Sequence, residues 1–339
     1  SDVMDIFISI FGHILSNSLY PVPQRAIGVG SAFEGWSPRE EDVEYTVLVP
    51  LTPPPGYTFH LEMDTSGQLP GRNFCVHVEP VCTCTVEQED ENMPCFLHHP
   101  EEEQRRRNEE SNFRDTLCTG SYLDVEKTAR WFYQLVRAVW VILPHYHTWK
   151  LVLLPSSRSC KFKLTGGRGR FIVEILCGVQ HGDSDIYVSS QHTEALFTPS
   201  TIWPETYAVA EMKFFSHMAL KVPRDSWHLK CLQLLARAVV GRDFSTYMMK
   251  TIVMHLLNTL PLSRWGSNHI LLQLEESIEY LRCSLLEKRL DHFIVGNQRV
   301  PEMISLPLEV QTAEPPNLLY HLAQNSAAHT QAIREYRDL

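Results

Sequence analysis

The chain has 339 residues, 44% of them apolar and 21% charged, with a formal net charge of −10 at pH 7. That composition excludes a disordered chain and allows a large buried core. The negative balance excludes whole-protein attraction to nucleic acid, and no window of the sequence reaches the roughly 18 unbroken apolar residues of a membrane span.

Val3, Ile6, Phe7, Ile10, Phe11 and Ile14 recur at helical spacing and predict a helix over residues 2–17. Pro21 and Pro23 end it. The turn Gly28-Val29-Gly30-Ser31 follows, where glycines let backbone N–H groups approach a phosphate and Ser31 adds a hydroxyl. Residues 43–50 alternate as a strand, with Val43, Tyr45, Val47 and Val49 on one face and Glu44, Thr46 and Leu48 on the other; Pro50 is its expected stop. Tyr57–Met63 is expected to pair back on it antiparallel. Residues 73–87 alternate again and carry Cys82 and Cys84, and the charged run 88–112 reads as a solvated insertion.

Asp124 caps a helix predicted over about 124–143, with Trp131, Leu135, Val139 and Ile142 inward and Pro144 as its stop. Strands are expected near 149–154, 160–165, 171–179 and 185–190, two of them joined by the turn Thr165-Gly166-Gly167-Arg168-Gly169. From Trp203 the pattern turns helical, with Pro204 suited to a first turn. Helices are predicted near 204–220, 226–241, 245–259, 268–290, 317–324 and 327–337. The fold class is therefore α+β: a mixed α/β lobe over 1–200 and a helical lobe over 201–339.

A Gly-Ser turn followed by strand carboxylates is the arrangement of a nucleotidyltransferase. Two acids one residue apart and a third on a neighbouring strand hold divalent metal against phosphate. Glu44 is an acid and Thr46 is not; Glu174, a charge inside the apolar strand Phe171-Ile172-Val173-Glu174-Ile175, reads as pointing into a cleft or pairing. The other pair, Glu40 and Asp42, has the right chemistry but lies in the loop before the strand alternation begins. Lys161, Lys163, Arg168 and Arg170 form a basic edge that reads as solvated surface or as an anion site. Cys82, Cys84, Cys95 and Cys118, with His98 and His99 nearby, leave disulfides, reduced thiols and zinc open. Cys160, Cys177, Cys231 and Cys283 read as buried thiols, and His255 as a satisfied core histidine.

Gly30-Ser31-Ala32-Phe33-Glu34-Gly35-Trp36, the strand ending Leu48-Val49-Pro50 and the helical second half resemble the Mab-21 domain of the cyclic GMP-AMP synthase-like nucleotidyltransferases. Further segments resemble the inositol 1,4,5-trisphosphate receptor-interacting proteins. They include Cys82-Thr83-Cys84, Cys95-Phe96-Leu97-His98-His99, Leu117-Cys118-Thr119-Gly120, His292-Phe293-Ile294-Val295-Gly296-Asn297 and Ala313-Glu314-Pro315-Pro316-Asn317-Leu318. The resemblance implies a bilobed fold and a membrane tether, N-terminal to this chain, at the plasma membrane or another cell membrane. It implies protein partners: the inositol trisphosphate receptor or, for like-1 members, the CD3 epsilon chain of the T-cell receptor. Carried over by position, it makes Gly30, Ser31, Glu44, Thr46 and Glu174 a vestigial site with no catalytic role and no resident cofactor. Mg²⁺ or Mn²⁺ with a nucleotide would enter only if Glu40, Asp42 and Glu174 formed a working centre.

Overall fold

The computed structural model describes residues 2–15, 18–82, 101, 113–167, 169–193, 197–242 and 244–339. They form helices and a mixed sheet, an α+β protein, in two compact units: Ser1–Val29 with Glu44–Thr206, and Gly30–Val43 with Tyr207–Leu339.

The first unit is built on its sheet. Helix α1 (Asp2–Leu15) precedes the short strands β1 (Val22–Pro23) and β2 (Ile27–Val29). Strand β3 (Glu44–Thr52) runs through Pro50 instead of stopping there, because its pairing with Val22–Pro23 extends to Thr52. Strands β4 (Tyr57–Met63) and β5 (Asn73–Pro80) pair with each other, Tyr57 opposite Pro80, so β4 does not return onto β3. β5 ends at Pro80, short of Cys82. A one-turn helix α2 (Phe113–Leu117) and strands β6 (Cys118–Thr119) and β7 (Tyr122–Leu123) lead to helix α3 (Val125–Trp140). The Asp124 side chain caps α3 by accepting from Lys127 N. The helix ends at Trp140, so Ile142 loses its phase and is 66% exposed, while Trp131 and Val139 are buried as expected.

Strands β8 (Trp149–Leu154), β9 (Cys160–Gly166) and β10 (Gly169–Gln180) form a meander. β10 then lies parallel to β3, with Glu174 opposite Thr46 and Ile172 opposite Glu44. β11 (Tyr187–Ser189) and β12 (Ile202–Thr206) close the ladder toward β5. Trp203 and Pro204 are strand, not helix. Ile202–Pro204 pairs with β5 and Glu205–Thr206 with β11, so Pro204 sits where the strand changes neighbours and a missing N–H is tolerated. The core packs Phe7, Phe11, Trp131, Phe132, Phe162, Ile175 and Trp203.

The second unit begins with one helical turn, α4 (Ser31–Glu34). Its helices are α5 (Ala208–Lys221), α6 (His228–Ala238), α7 (Thr246–Thr259) and α8 (Ile270–Glu287), then α9 (Leu308–Thr312), α10 (Tyr320–Gln324) and α11 (Ser326–Arg337). Phe214, Leu232, Ile252, Leu285 and Phe293 are among its fully buried side chains. Cys283 is exposed, against the expectation of a buried thiol, whereas Cys160, Cys177 and Cys231 are buried.

Candidate functional site

Register decides which side chains share a face, because strand side chains alternate with period two. Glu44 and Thr46 on β3, Glu174 on β10 and Lys161 on β9 fall on one face, since Thr46 pairs with Glu174 and Glu174 with Lys161. The Lys161 ammonium lies 2.5 Å from Glu44 Oε1 and 4.0 Å from Glu174 Oε2. Ser159 Oγ donates to the other Glu174 oxygen at 2.7 Å. All three charged side chains are about a quarter to a third exposed, at 26%, 30% and 25% for Lys161, Glu44 and Glu174.

These residues do not fit a two-metal centre. Such a centre needs bridging carboxylates and space for cations. Here a neutral hydroxyl stands beside Glu174, and a covalently tethered cation is already bonded to Glu44. Lys161 was read from the sequence as part of the basic edge; the hairpin register turns it toward the acids instead.

Next to this group, Arg158 is buried and, among the described residues, has no carboxylate hydrogen-bonded to it. Its guanidinium donates to the carbonyls of Ser190, Gln191, Thr198, Pro199 and Ile202. Burial lowers its affinity for its proton, while Glu126 and Asp124 support the charge.

Gly30 and Ser31 belong to the second unit. Gly30 has φ 77°, the left-handed region that favours glycine, and its carbonyl accepts from Phe33 N and Glu34 N. Four residues on from Gly30, Glu34 is buried, and Lys250 Nζ lies 2.8 Å from its Oε1 and 2.5 Å from Glu211 Oε2. Trp36 Nε1 donates to the second Glu34 oxygen at 2.6 Å, and the Tyr247 hydroxyl donates to Glu211 Oε1 at 2.6 Å. His292 Nδ1 accepts from Ile294 N and Val295 N, which places the ring proton on Nε2, 2.8 Å from the Tyr247 oxygen. Burial raises the Glu34 carboxyl above its ordinary range against the pull of Lys250. Burial pulls Lys250 down, but Glu211 and Glu34 outweigh it and hold the ammonium charged. The sequence reading missed this network; its signal was a lone lysine among Met248, Met249, Ile252 and Val253.

Glu40 forms an exposed pair with Arg237 at 2.7 Å, and Asp42 adopts φ 49° in the loop before β3. Cys82 is exposed and Cys118 buried, its thiol pushed up to about 12 by burial. Cys84, Cys95, His98, His99 and Arg168 lie outside the described residues, as does 88–112 apart from Glu101. Among the described residues no group of His, Cys, Asp and Glu is arranged to hold a metal. His255 Nε2 donates to the Asp291 carbonyl at 2.9 Å, as a core histidine does.

No family model matches the chain. It is 34% identical over 330 residues to inositol 1,4,5-trisphosphate receptor-interacting protein-like 1 of Rattus norvegicus, covering 94% of this chain and 60% of that protein. Identity to the Mus musculus counterpart is 35% over the same shares, 94% and 60%. To inositol 1,4,5-trisphosphate receptor-interacting protein of Homo sapiens it is 30%, over 86% of this chain and 57% of that one. The chain is a relative of the inositol 1,4,5-trisphosphate receptor-interacting proteins. It spans about 60% of the length of the relatives it matches best among these.

Proposed function

We propose that the chain is the interaction domain of a membrane-tethered signalling protein, on a bilobed Mab-21/nucleotidyltransferase-type fold that no longer catalyses. The observation that supports this most is Thr46 in register with Glu174 while Lys161 is bonded to Glu44. One lost carboxylate and one tethered ammonium work against binding two cations at that face. The relatives are named for interaction with the inositol trisphosphate receptor, and the reading takes that receptor as the partner. The higher identity to like-1 proteins, 35% against 30%, adds CD3 epsilon, the partner the resemblance implies for that branch. The reading puts the membrane segment in sequence outside this chain.

Two measurements test it. Calorimetric titration with ATP or GTP and Mg²⁺ or Mn²⁺ is expected to show no metal-dependent binding; tight metal-dependent heat would overturn the non-catalytic half. A pull-down with the natural full-length protein is expected to retain the inositol trisphosphate receptor or CD3 epsilon; recovery of neither would overturn the partner half.

A further inference from the structure

Strand β8, Trp149-Lys150-Leu151-Val152-Leu153-Leu154, pairs only with β9 among the described residues. Its outer edge therefore offers a row of backbone N–H and C=O groups about 20 Å long. Long edges in folded proteins are commonly blunted by charge. Edge strand β4 carries one formal charge, Glu62, in seven residues and β8 one, Lys150, in six, so charge blunts neither edge heavily. Around β8, Val141, Ile142 and Val152 are exposed to 58%, 66% and 41%. A pocket of about 670 Å³ opens at its start, lined by Trp140, His147, Trp149, Lys150 and Leu151 among others.

The two faces of β8 differ. Trp149, Leu151 and Leu153 are half-buried and pack on the core, so a neighbouring strand would extend an apolar layer that stops short here. The Trp149 indole lies against Gly166, where a Cβ would stand 2.8 Å from the ring. On the opposite face Lys150 is exposed, in line with Thr165 and Arg170, and Val152 is in line with Lys163. The Trp149 end of that face carries Lys150, Lys163 and Arg170, in a protein of net charge −10; Glu174 and Glu44 lie farther along the same face, beside Lys161.

We propose that the β8 edge is a docking site for an extended peptide segment of a protein partner, added as a further antiparallel strand. Its inward side chains are apolar and continue the Trp149–Leu151–Leu153 layer, one of them entering the pocket. Its outward side chains include an acid beside Lys150. Backbone bonds supply affinity and the alternation supplies selectivity. The proposal does not depend on whether the protein catalyses.

The probe is a blocked, fluorescently labelled heptapeptide alternating Val and Glu, titrated into the 339-residue chain by anisotropy. Saturable binding is expected, weakened at least about tenfold by Lys150→Glu and regained by that variant for the Val/Lys peptide. N-methylation of one alternate set of peptide amides should abolish binding while methylation of the other set leaves it. Binding insensitive to both methylated sets would show electrostatic adsorption and overturn the proposal. So would no saturable binding by the wild-type chain, or a dimer in sedimentation that Lys150→Glu dissociates, which would make a second copy the occupant. Gly166→Ala, which displaces Trp149 without touching charge, is expected to weaken the Val/Glu peptide while the melting temperature of the chain reports folding separately.

Discussion

Each unit holds one lysine between two glutamates, and the two sites are opposite in character. Lys161 keeps 26% of its side chain exposed beside Glu44 and Glu174. Lys250 keeps 5%, between Glu34 and Glu211 with 0% and 5%. Water screens the first site, so its ion pair contributes little to stability and its position is what matters. The second has no such screening; every charge in it depends on the others, and on Trp36 and Tyr247. A cluster that looks like chemistry is thus the exposed one, and the cluster that holds the fold is the one without access.

Breaking the buried site should have the largest effect. Lys250→Met leaves two carboxylates buried and is expected to cost about 3–5 kcal/mol in urea unfolding. Lys250→Met/Glu34→Gln/Glu211→Gln should recover a large part of that loss; a triple variant as unstable as the single one would mean that packing, not charge, dominates.

Acid should find the second unit next. Burial pushes His228 down to about 4 from an ordinary 6.5. The unfolded chain then takes up a proton that the folded one refuses, so stability falls as pH drops from 6.5 toward 4, by up to about 3 kcal/mol. Thermal melts of His228→Gln should lack most of that slope. Glu34 acts in the opposite sense: with its folded value raised, the stability linked to it is complete below 4.5 and is lost as pH rises through that raised value. Glu34→Gln should flatten that arm of the profile.

The exposed site should give the smallest change in stability and the sharpest change in binding. Lys161→Ala is expected to cost under about 1 kcal/mol. Mn²⁺ should not bind the wild-type face detectably, should bind Lys161→Ala, and should bind Lys161→Ala/Thr46→Asp about tenfold more tightly. Paramagnetic resonance of free Mn²⁺ reads this directly. If the double variant binds no better than the wild type, the ammonium is not what keeps cations away.

Most strands and helices were legible because period two and period 3.6 are local properties. β3, β8, β9 and β10 follow from alternation, and α7 and α8 from apolar spacing. Pairing was less legible. Nothing within Tyr57–Met63 says that its neighbour is Asn73–Pro80 and not the preceding strand. Trp203-Pro204 shows a propensity overruled by context: proline suits a first helical turn, but here it sits at a change of ladder. In the candidate site, Glu44 and Thr46 follow from their place on the strand after the Gly-Ser turn and Glu174 from the family resemblance, whereas the role of Lys161 depends on a hairpin register that no single segment encodes. Glu34, Glu211 and Lys250 were invisible for the same reason, being distant in the chain and unremarkable one by one.

The membership of Gly30–Val43 in the second unit has a consequence for synthesis. Glu34 leaves the ribosome early, yet its lysine is 216 residues further along. At about 5–20 residues per second, the segment waits roughly 10–40 s for its counter-ion. During that interval the strands on either side of it, β2 and β3, are already made, and β3 is itself waiting for β10. The unit that finishes last therefore contains a piece made much earlier, and a nascent protein stopped before Lys250 would carry Glu34 and Glu211 without the ammonium that joins them.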